Sequence, residues 1–203
     1  MKLSILIPVY NQESLVITAL DNLPRRDDIE VLVCDDGSSD NTLSNLIAYK
    51  KAHPELRLTV FTNGVNRGVA RTKNRMLEKA SGKYFHIHDS DDHVNTELYS
   101  GLIDRIGDED ILCMDLIVNN GDVLHVTDET KRLYCAQIAR FIRKDFAKGI
   151  RFPEEVRAGD DWYFAEALLA RNPQTTYTGV AAYYYNYPRE GSLCDLRQKG
   201  VLP

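Results

Sequence analysis

The sequence predicts an α/β fold: a mainly parallel sheet flanked by helices, followed by a smaller mixed region. Short apolar runs rich in β-branched residues alternate with helical segments of about ten residues, which is the pattern of βαβ units. Polar loops follow several of these runs. After residue 110 the alternation gives way to a hairpin signal and a less regular pattern. We therefore expect one domain over residues 1–203, without repeats or linkers.

The elements of the first half follow from apolar spacing and from capping residues. The predicted strands are 3–9, 29–34, 56–61 and 84–88. The predicted helices are 14–22, one that follows Asp40 and Asn41, 69–80, and 96–106 capped by Asn95 or Thr96. In the second half, residues 111–118 and 123–126 flank a turn signal at 119–122, which predicts a hairpin. A helix over 160–171 and a strand over 181–187 complete the prediction.

The overall charge argues against a general affinity for anionic partners. Lysine and arginine number 25 against 30 acidic residues, a formal charge of −5, so neither nucleic acid nor an anionic membrane is indicated. The stretch 131–151 is an exception, because its basic residues outnumber the single acid Asp145. It is either a solvated face or a surface for an anionic acceptor such as a phosphorylated glycan, a lipid-linked phosphate or DNA.

The cysteines and the N-terminus indicate a reducing compartment. Cys34, Cys113, Cys135 and Cys194 lack zinc-ligand spacing, and the first two lie in predicted strands, which suggests buried free thiols. The apolar run at the N-terminus is too short for a signal peptide or a membrane span. The sequence thus predicts a cytoplasmic protein without a transmembrane segment.

Three polar loops, 8–11, 35–40 and 89–92, fall at the ends of predicted parallel strands, where open sheets bind ligands. The last contains Asp89, Asp91 and Asp92, which repel one another unless a cation or base neutralises them. Carboxylate oxygens suit Mg²⁺ or Mn²⁺, with substrate phosphates and water completing the coordination. An EF-hand is excluded because Val94 and Ser100 stand where that loop needs glycine and glutamate. The alternative interpretation is a surface turn.

No P-loop and no G-x-G-x-x-G motif is present, so a phosphate needs another site. The segment around Arg67 and Arg71 opens a predicted helix, and a helix N-terminus with nearby arginines can bind a diphosphate. Arg67, Arg71 and Arg75 also recur at i, i+4 spacing, which is equally typical of a solvated basic face.

Together these motifs resemble the family 2 glycosyltransferases, which have the GT-A fold, a Rossmann-like sheet with an acceptor-side region. The resemblance runs from Lys2 to about Ser192. It rests on five motifs in order: I-L-I-P-V-Y-N from Ile5, V-C-D-D-G-S-S-D-N-T from Val33, N-R-G-V-A-R from Asn66, D-S-D from Asp89, and G-D-D-W-Y-F from Gly159. Tyr183, Tyr184 and Tyr185, with residues 189–192, resemble the closing aromatic strand and donor-side loop.

The resemblance implies a metal-assisted, inverting transfer of a sugar from a nucleotide diphosphate donor, with UDP favoured, to a glycan or other hydroxyl acceptor. Residues 1–108 would bind the donor and residues 109–203 the acceptor. Asp161 would be the catalytic base, Asp91 with Asp89 would hold Mn²⁺ or Mg²⁺, and Asp36, or else Asp35, would contact uracil. The other residues expected to contact the donor are Pro8, Tyr10, Asn11, Glu13, Arg67, Arg71 and Ser90.

The chain departs from the family pattern at two positions. Asp160 stands where the family usually has glutamate, and the segment after Gly68 reads as shorter than the family's N-x-G-x-x-x-A-R-N form. Two other functions remain open. A sugar-nucleotide nucleotidyltransferase would need a Gly-rich basic loop after the first strand, which residues 9–13 lack. A non-catalytic nucleotide- or carbohydrate-binding module would have no need of both D-S-D and Asp161.

Overall fold

The structure, a computed structural model, describes residues 1–130, 137–156 and 159–187. Its strands are β1 Leu3–Val9, β2 Ile29–Asp35, β3 Leu58–Thr62, β4 Tyr84–Ile87, β5 His93–Val94, β6 Ile111–Val118, β7 Val123–Leu124, β8 Arg140–Arg143 and β9 Thr175–Tyr185. Its helices are α1 Leu15–Asp21, α2 Thr42–Ala52, α3 Val69–Lys79, α4 Thr96–Arg105 and α5 Asp160–Leu169, with a 3₁₀ turn at Gln137–Ala139.

A single sheet with the strand order β3-β2-β1-β4-β8-β6-β9-β5 runs through both halves, with β7 paired to β6. The pairings among β1 to β4 are parallel, as the alternation predicted. Beyond β4 the sheet is mixed: β8 is antiparallel to both β4 and β6, β5 is antiparallel to β9, and β6 and β9 are parallel. The mainly parallel description therefore holds for the first half, and the mixed region supplies the rest.

The chain order creates a crevice beside β1. After β3 at one edge of the sheet, α3 carries the chain back across β1 and β2 to β4 on the far side of β1. The strand order reverses between β1 and β4, and in open α/β sheets such a switch point is where ligands bind at the carboxyl ends. The loops after β1, β2 and β4 all end there.

Residues of β1, β2 and α5 form part of the hydrophobic core. Every residue of β1 is buried, and β2 is buried except at Glu30, because helices cover both faces of a parallel sheet. In α5, Phe164 is fully buried and stacks on Phe152 with ring centroids 4.0 Å apart. Phe164 therefore belongs to the core.

Three strands differ from the sequence prediction, and one predicted helix cap agrees with it. β9 begins six residues before the predicted start at 181, and its first residues pair with β6 from Ile111 onward. β5 and β8 were not predicted, because strands of two and four residues are too short to show periodicity. Asn95 caps α4 by accepting from the backbone amide of Leu98, as expected.

The basic stretch 131–151 does not form one solvated face in the described part of the chain. Arg140 is buried, Arg143 pairs with Asp110 and Asp145, and Arg151 pairs with Glu78. Lys131 and Arg132 lie outside the described residues, as do Cys135, Cys194 and residues 189–192. Cys34 and Cys113 are buried free thiols, as predicted. Within the described ranges, no helix has both the length and the apolar character needed to cross a bilayer.

Candidate active site

The loop after β2 is organised by two buried carboxylates. Asp35 accepts from the backbone amides of Gly37 and Ser38 and from the Thr62 hydroxyl. Gly37 has a φ of 76°, and a Cβ there would lie 2.4 Å from the Val65 carbonyl carbon, so this close approach requires glycine. The bond to Thr62 ties the end of β2 to the end of β3.

Asp36 binds the segment that opens α3. Its carboxylate accepts from the backbone amides of Arg67 and Gly68 at 2.9 and 2.8 Å and from Asn63 Nδ2 at 2.7 Å. These donors use three of the roughly four lone-pair positions of a carboxylate, which leaves one for a ligand donor. The contact of Asp36 with a nucleobase stays a prediction, and organising the 63–68 loop is a role that sequence reasoning did not assign to it.

The loop after β1 is joined to the loop after β2. Asn11, at a left-handed φ of 51°, accepts from the Ser39 amide at 2.8 Å and donates its own amide to Ser38 Oγ. Glu13 accepts from the Asn41 amide at 3.0 Å. Pro8 is buried within β1, whereas Tyr10 is 44% exposed. Of the donor contacts predicted in this loop, Tyr10, Asn11 and Glu13 are exposed, and Asn11 and Glu13 are also bonded to the loop after β2.

The carboxylates after β4 are held in a closed turn. The Asp92 amide donates to the Asp89 carbonyl at 3.2 Å, and His88 Nδ1 lies 2.8 Å from the same carbonyl. The Asp92 side chain is 2% exposed, and its oxygens accept from the Tyr183 hydroxyl at 2.8 Å and the Asn186 amide at 2.8 Å. Asp92 is thus bound by β9 and the residue after it, while Asp89 and Asp91 are partly exposed.

Lys73 brings α5 to this turn. Its ammonium lies 2.9 Å from Asp160 Oδ2 and 2.7 Å from Asp161 Oδ1, and its side chain is only 4% exposed. Gly159, at a φ of 85°, begins α5 and places both aspartates in its first turn. The Asp161 side chain is 36% exposed, so it is paired and still open to the crevice. Lys73 thus holds the two carboxylates of α5 close together, with that of Asp161 partly exposed.

Burial and mutual repulsion raise the pKa values of the acids in this cluster. Burial raises the pKa of Asp89 to about 7, with Lys73 opposing and Asp91 adding to the rise. Burial, followed by the charge of Asp89, raises the pKa of Asp92 to about 8. Burial also raises the pKa of Asp161, although Lys73 opposes it. The excess of negative charge makes the cluster a natural site for a cation.

Lys73 remains charged in spite of its burial. Desolvation disfavours the ammonium, but the charges of Asp161 and Asp160, with a contribution from Asp89, outweigh it and raise the pKa of Lys73 above its ordinary value. The buried Lys73 ammonium holds Asp160 and Asp161 at fixed positions. It offsets only part of the negative charge of the cluster.

The structure does not bring Arg67 or Arg71 to the cluster. Arg71 lies 3.9 Å from Glu154, and both arginines line a groove of about 500 Å³ on the other side of α3, together with Arg75 and Arg151. Lys73 is two positions from Arg71, which is about 200° around a helix. Arg71 therefore points away from the carboxylates after β4, and Lys73 lies beside them instead. The contacts of Arg67 and Arg71 with a donor stay predictions.

Sequence reasoning missed Lys73 although a signal was present. The interval from Gly68 to Asn74 has the same length as G-x-x-x-A-R-N, with Lys73 at the arginine position, so the segment is not shorter than the family form. Tyr183 and Asn186 were missed as supports of the turn, because nothing local links them to residues 89–92. Asn74 bonds both the amide and the carbonyl of Phe152, which makes it a structural residue.

Two histidines and a tryptophan near the carboxylates differ in burial: the histidines lie in the core and the tryptophan at the surface. His86 lies between the Tyr99 hydroxyl and the Ile138 carbonyl, and burial lowers its pKa to about 3. Burial lowers the pKa of His88 to about 4. Both are therefore neutral residues of the core. Trp162 is 50% exposed on α5, directly after Asp161.

The donor set fits a divalent cation that a substrate helps to hold. Within the described residues no group of three or more His, Cys, Asp or Glu side chains is arranged as a complete metal site. Asp89 and Asp91 offer oxygen ligands, and Asp92 is engaged by β9. Mg²⁺ and Mn²⁺ sites with one or two carboxylates, completed by phosphates and water, have this composition.

Comparison with known proteins gives a consistent result. The model of glycosyl transferase family 2 matches residues 4–163. The poly(ribitol-phosphate) β-N-acetylglucosaminyltransferase TarS of Staphylococcus aureus is 28% identical over 94% of this chain, which spans 36% of TarS. The poly(ribitol-phosphate) β-glucosyltransferase of Bacillus spizizenii is 27% identical over 94% of this chain and 33% of its own length. The chain thus spans about a third of these relatives.

A crystal structure of S. aureus TarS residues 1–349 with UDP-GlcNAc superposes with a TM-score of 0.76 at 28% identity, covering 95% of this chain and 60% of the other. The fold is therefore shared over nearly the whole chain, including the mixed region.

Proposed function

The chain belongs to glycosyl transferase family 2 and has the GT-A fold, and from that premise we propose that it transfers a sugar from a UDP-sugar to a hydroxyl acceptor. The transfer is metal-assisted and inverts the anomeric centre. The single observation that carries the proposal is the pairing of Asp161 with Lys73 beside the turn 89–92. The proposed base and the proposed cation-binding turn are distant in sequence and lie together at the switch point of the sheet.

Asp89 and Asp91 are the residues that would hold Mn²⁺ or Mg²⁺. When bound there, the cation neutralises the charge that develops on the leaving diphosphate. Lys73, buried behind the two acids of α5, adds a fixed positive charge to the same region. In this proposal, residues 1–108 bind the donor and residues 109–203 bind the acceptor.

Asp161 acts as the general base in this proposal. It accepts the proton of the acceptor hydroxyl while the hydroxyl oxygen attacks the anomeric carbon. Burial raises its pKa, which makes the carboxylate a stronger base than an ordinary aspartate. With one base and no covalent intermediate, attack occurs opposite the leaving diphosphate and the configuration inverts.

The relatives guide the choice of substrates to test. TarS has been crystallised with UDP-GlcNAc, so UDP-GlcNAc is the first donor. The relatives named above act on poly(ribitol-phosphate), so a hydroxyl on a polyol-phosphate chain is the first acceptor class. Trp162, exposed beside Asp161, is placed to contact an acceptor sugar or polyol.

The proposal is tested by measuring UDP release from UDP-GlcNAc with Mn²⁺, with and without a ribitol-phosphate oligomer. Asp161→Asn should bind the UDP-sugar normally and lose turnover by about 10²-fold or more. Asp108→Asn, at a carboxylate that is 99% exposed, is the matched control and should behave as wild type. Near-normal turnover by Asp161→Asn would refute the base, and UDP binding without any sugar release would support a binding module instead.

A further inference from the structure

The hydroxyl of Tyr183 joins the two ends of the carboxylate turn. Tyr183 is fully buried in β9. Its oxygen accepts from the Asp89 amide at 3.1 Å and donates to Asp92 Oδ2 at 2.8 Å. A tyrosine hydroxyl has one donor and two acceptor positions, so this pair of bonds uses its single proton and one lone pair. One oxygen atom therefore bridges the residue that starts the turn and the residue that ends it.

A second contact from the same region reinforces this closure. Asn186, three residues after Tyr183, donates its amide to Asp92 Oδ1 at 2.8 Å, and its side chain approaches the Asp91 carbonyl at 3.4 Å. Asp92 is consequently held on both oxygens by β9 and its continuation. It is a structural acid, which leaves Asp89 and Asp91 as the two carboxylates that can face a cation.

From this geometry we propose that Tyr183 is a positioning residue for the divalent cation. Its hydroxyl holds the turn 89–92 in the shape that presents Asp89 and Asp91 together. The inference rests on the proposed function, because it takes these two carboxylates as the metal ligands. Tyr183 does not touch the cation or the substrate in this scheme, and it acts through the backbone of Asp89 and the side chain of Asp92.

The physical reason is that the turn carries three acids that repel one another. Without the hydroxyl, the buried Asp92 loses a donor and the Asp89 amide loses its acceptor, and leaving buried polar groups without partners destabilises the turn. The turn then populates other shapes, and cation affinity falls in proportion to the remaining fraction of the competent shape.

The experiment compares two buried tyrosines. Tyr183→Phe removes only the oxygen and keeps the ring beside His88, at 5.1 Å between centroids. Tyr99→Phe removes an equally buried hydroxyl, which contacts His86 instead of the turn. Mn²⁺ binding in the presence of UDP is measured by electron paramagnetic resonance of the free ion. We expect Tyr183→Phe to bind Mn²⁺ about ten-fold more weakly and Tyr99→Phe to bind it normally.

A second measurement needs neither metal nor turnover. In wild type the Asp89 amide is protected from hydrogen exchange by its bond to Tyr183, and in folded Tyr183→Phe that protection should be lost while the amides of β1 keep theirs. Equal Mn²⁺ affinity and equal Asp89 protection in wild type and Tyr183→Phe would overturn the inference and leave the proposed function intact. A wild-type protein that does not bind Mn²⁺ with UDP would overturn both.

Discussion

At the scale of single residues, the site depends on one buried ion pair. Lys73 touches Asp160 and Asp161, and removing one partner of such a pair leaves an uncompensated buried charge. Because Lys73 opposes the rise in the pKa of Asp161 that burial produces, it should also set the pH at which the proposed base is active.

The Lys73 pair predicts a change in the pH profile. In Lys73→Met the pKa of Asp161 should rise further, so the acid limb of kcat/KM should move to higher pH and activity at about pH 6 should fall more than at about pH 9. Lys73→Arg keeps the charge and should keep the limb near its wild-type position. An equal loss at every pH in Lys73→Met would indicate a structural role only.

A second residue-scale prediction concerns stability without metal. The folded pKa of Asp92 is raised, so its contribution to stability is present at low pH and is lost as the pH rises towards about 8. His86 and His88 have lowered pKa values and therefore destabilise the fold as the pH falls below about 6.5. Between about pH 4 and about pH 6.5 the histidines offset the loss from Asp92 and from Asp89, whose pKa is also raised, so stability in EDTA should change little there. Above about pH 6.5 only the acids titrate, and stability should fall by about 1–2 kcal/mol by about pH 8.5.

This pH dependence is measured by urea unfolding at several pH values. Asp92→Asn removes a titrating group, so its stability should fall less between about pH 6.5 and about pH 8.5, whatever its absolute stability. Mn²⁺ with UDP should restore the wild type at the higher pH. A slope unchanged in Asp92→Asn would show that Asp92 does not titrate in this range.

At the scale of elements, α5 can hold the proposed base in place because its other face is anchored in the core. Phe164 is fully buried against Phe152, while Trp162 and Tyr163 are about half exposed. The helix thus presents Asp161 to the crevice from a fixed position, and its first turn begins at the left-handed Gly159.

The two faces of α5 predict contrasting mutants. Phe164→Ala should cost about 3–5 kcal/mol through lost burial and a cavity. Trp162→Ala, in the same helix, should change the free energy of unfolding by about 0.5 kcal/mol or less and raise the KM for the acceptor if Trp162 contacts it. Denaturant unfolding and acceptor titration separate the two effects. A large stability loss in Trp162→Ala would place Trp162 in the core instead.

At the scale of the whole molecule, the site exists only where the two halves of the sheet meet. Lys73 comes from α3 in the parallel half, Asp161 from α5, and Tyr183 from β9 in the mixed half. Donor binding should therefore stabilise the whole chain and not one half alone.

The stabilisation of the chain by a bound donor can be measured, because a ligand that binds only the folded state raises its stability. UDP with Mn²⁺ at about 100 times its Kd should add about 2.7 kcal/mol of stability, or a rise in Tm on the order of 5–10 °C for a chain of this size. Asp91→Asn should abolish the part of the rise that depends on Mn²⁺ and keep the fold. A Tm that is insensitive to UDP and Mn²⁺ would argue against a donor site.

The sequence by itself determined the parallel half and the order of the motifs. Apolar periodicity and turn residues are local properties, so β1, α3, the hairpin of β6 and β7, and the acidic turn at Asp89 could all be predicted from neighbouring residues. The family resemblance was equally readable, because it rests on motifs whose spacing is written in the chain.

Only the tertiary structure decided which side chains meet. Lys73 and Asp161 are 88 residues apart, and Tyr183 and Asp92 are 91 apart. Such contacts depend on how β4, β8, β6 and β9 pair, which no local pattern encodes. The same holds for Arg71, whose contact with Glu154 no local pattern predicted. Interactions between neighbouring residues determine the helices and strands, whereas the site depends on contacts between residues that are far apart in the sequence.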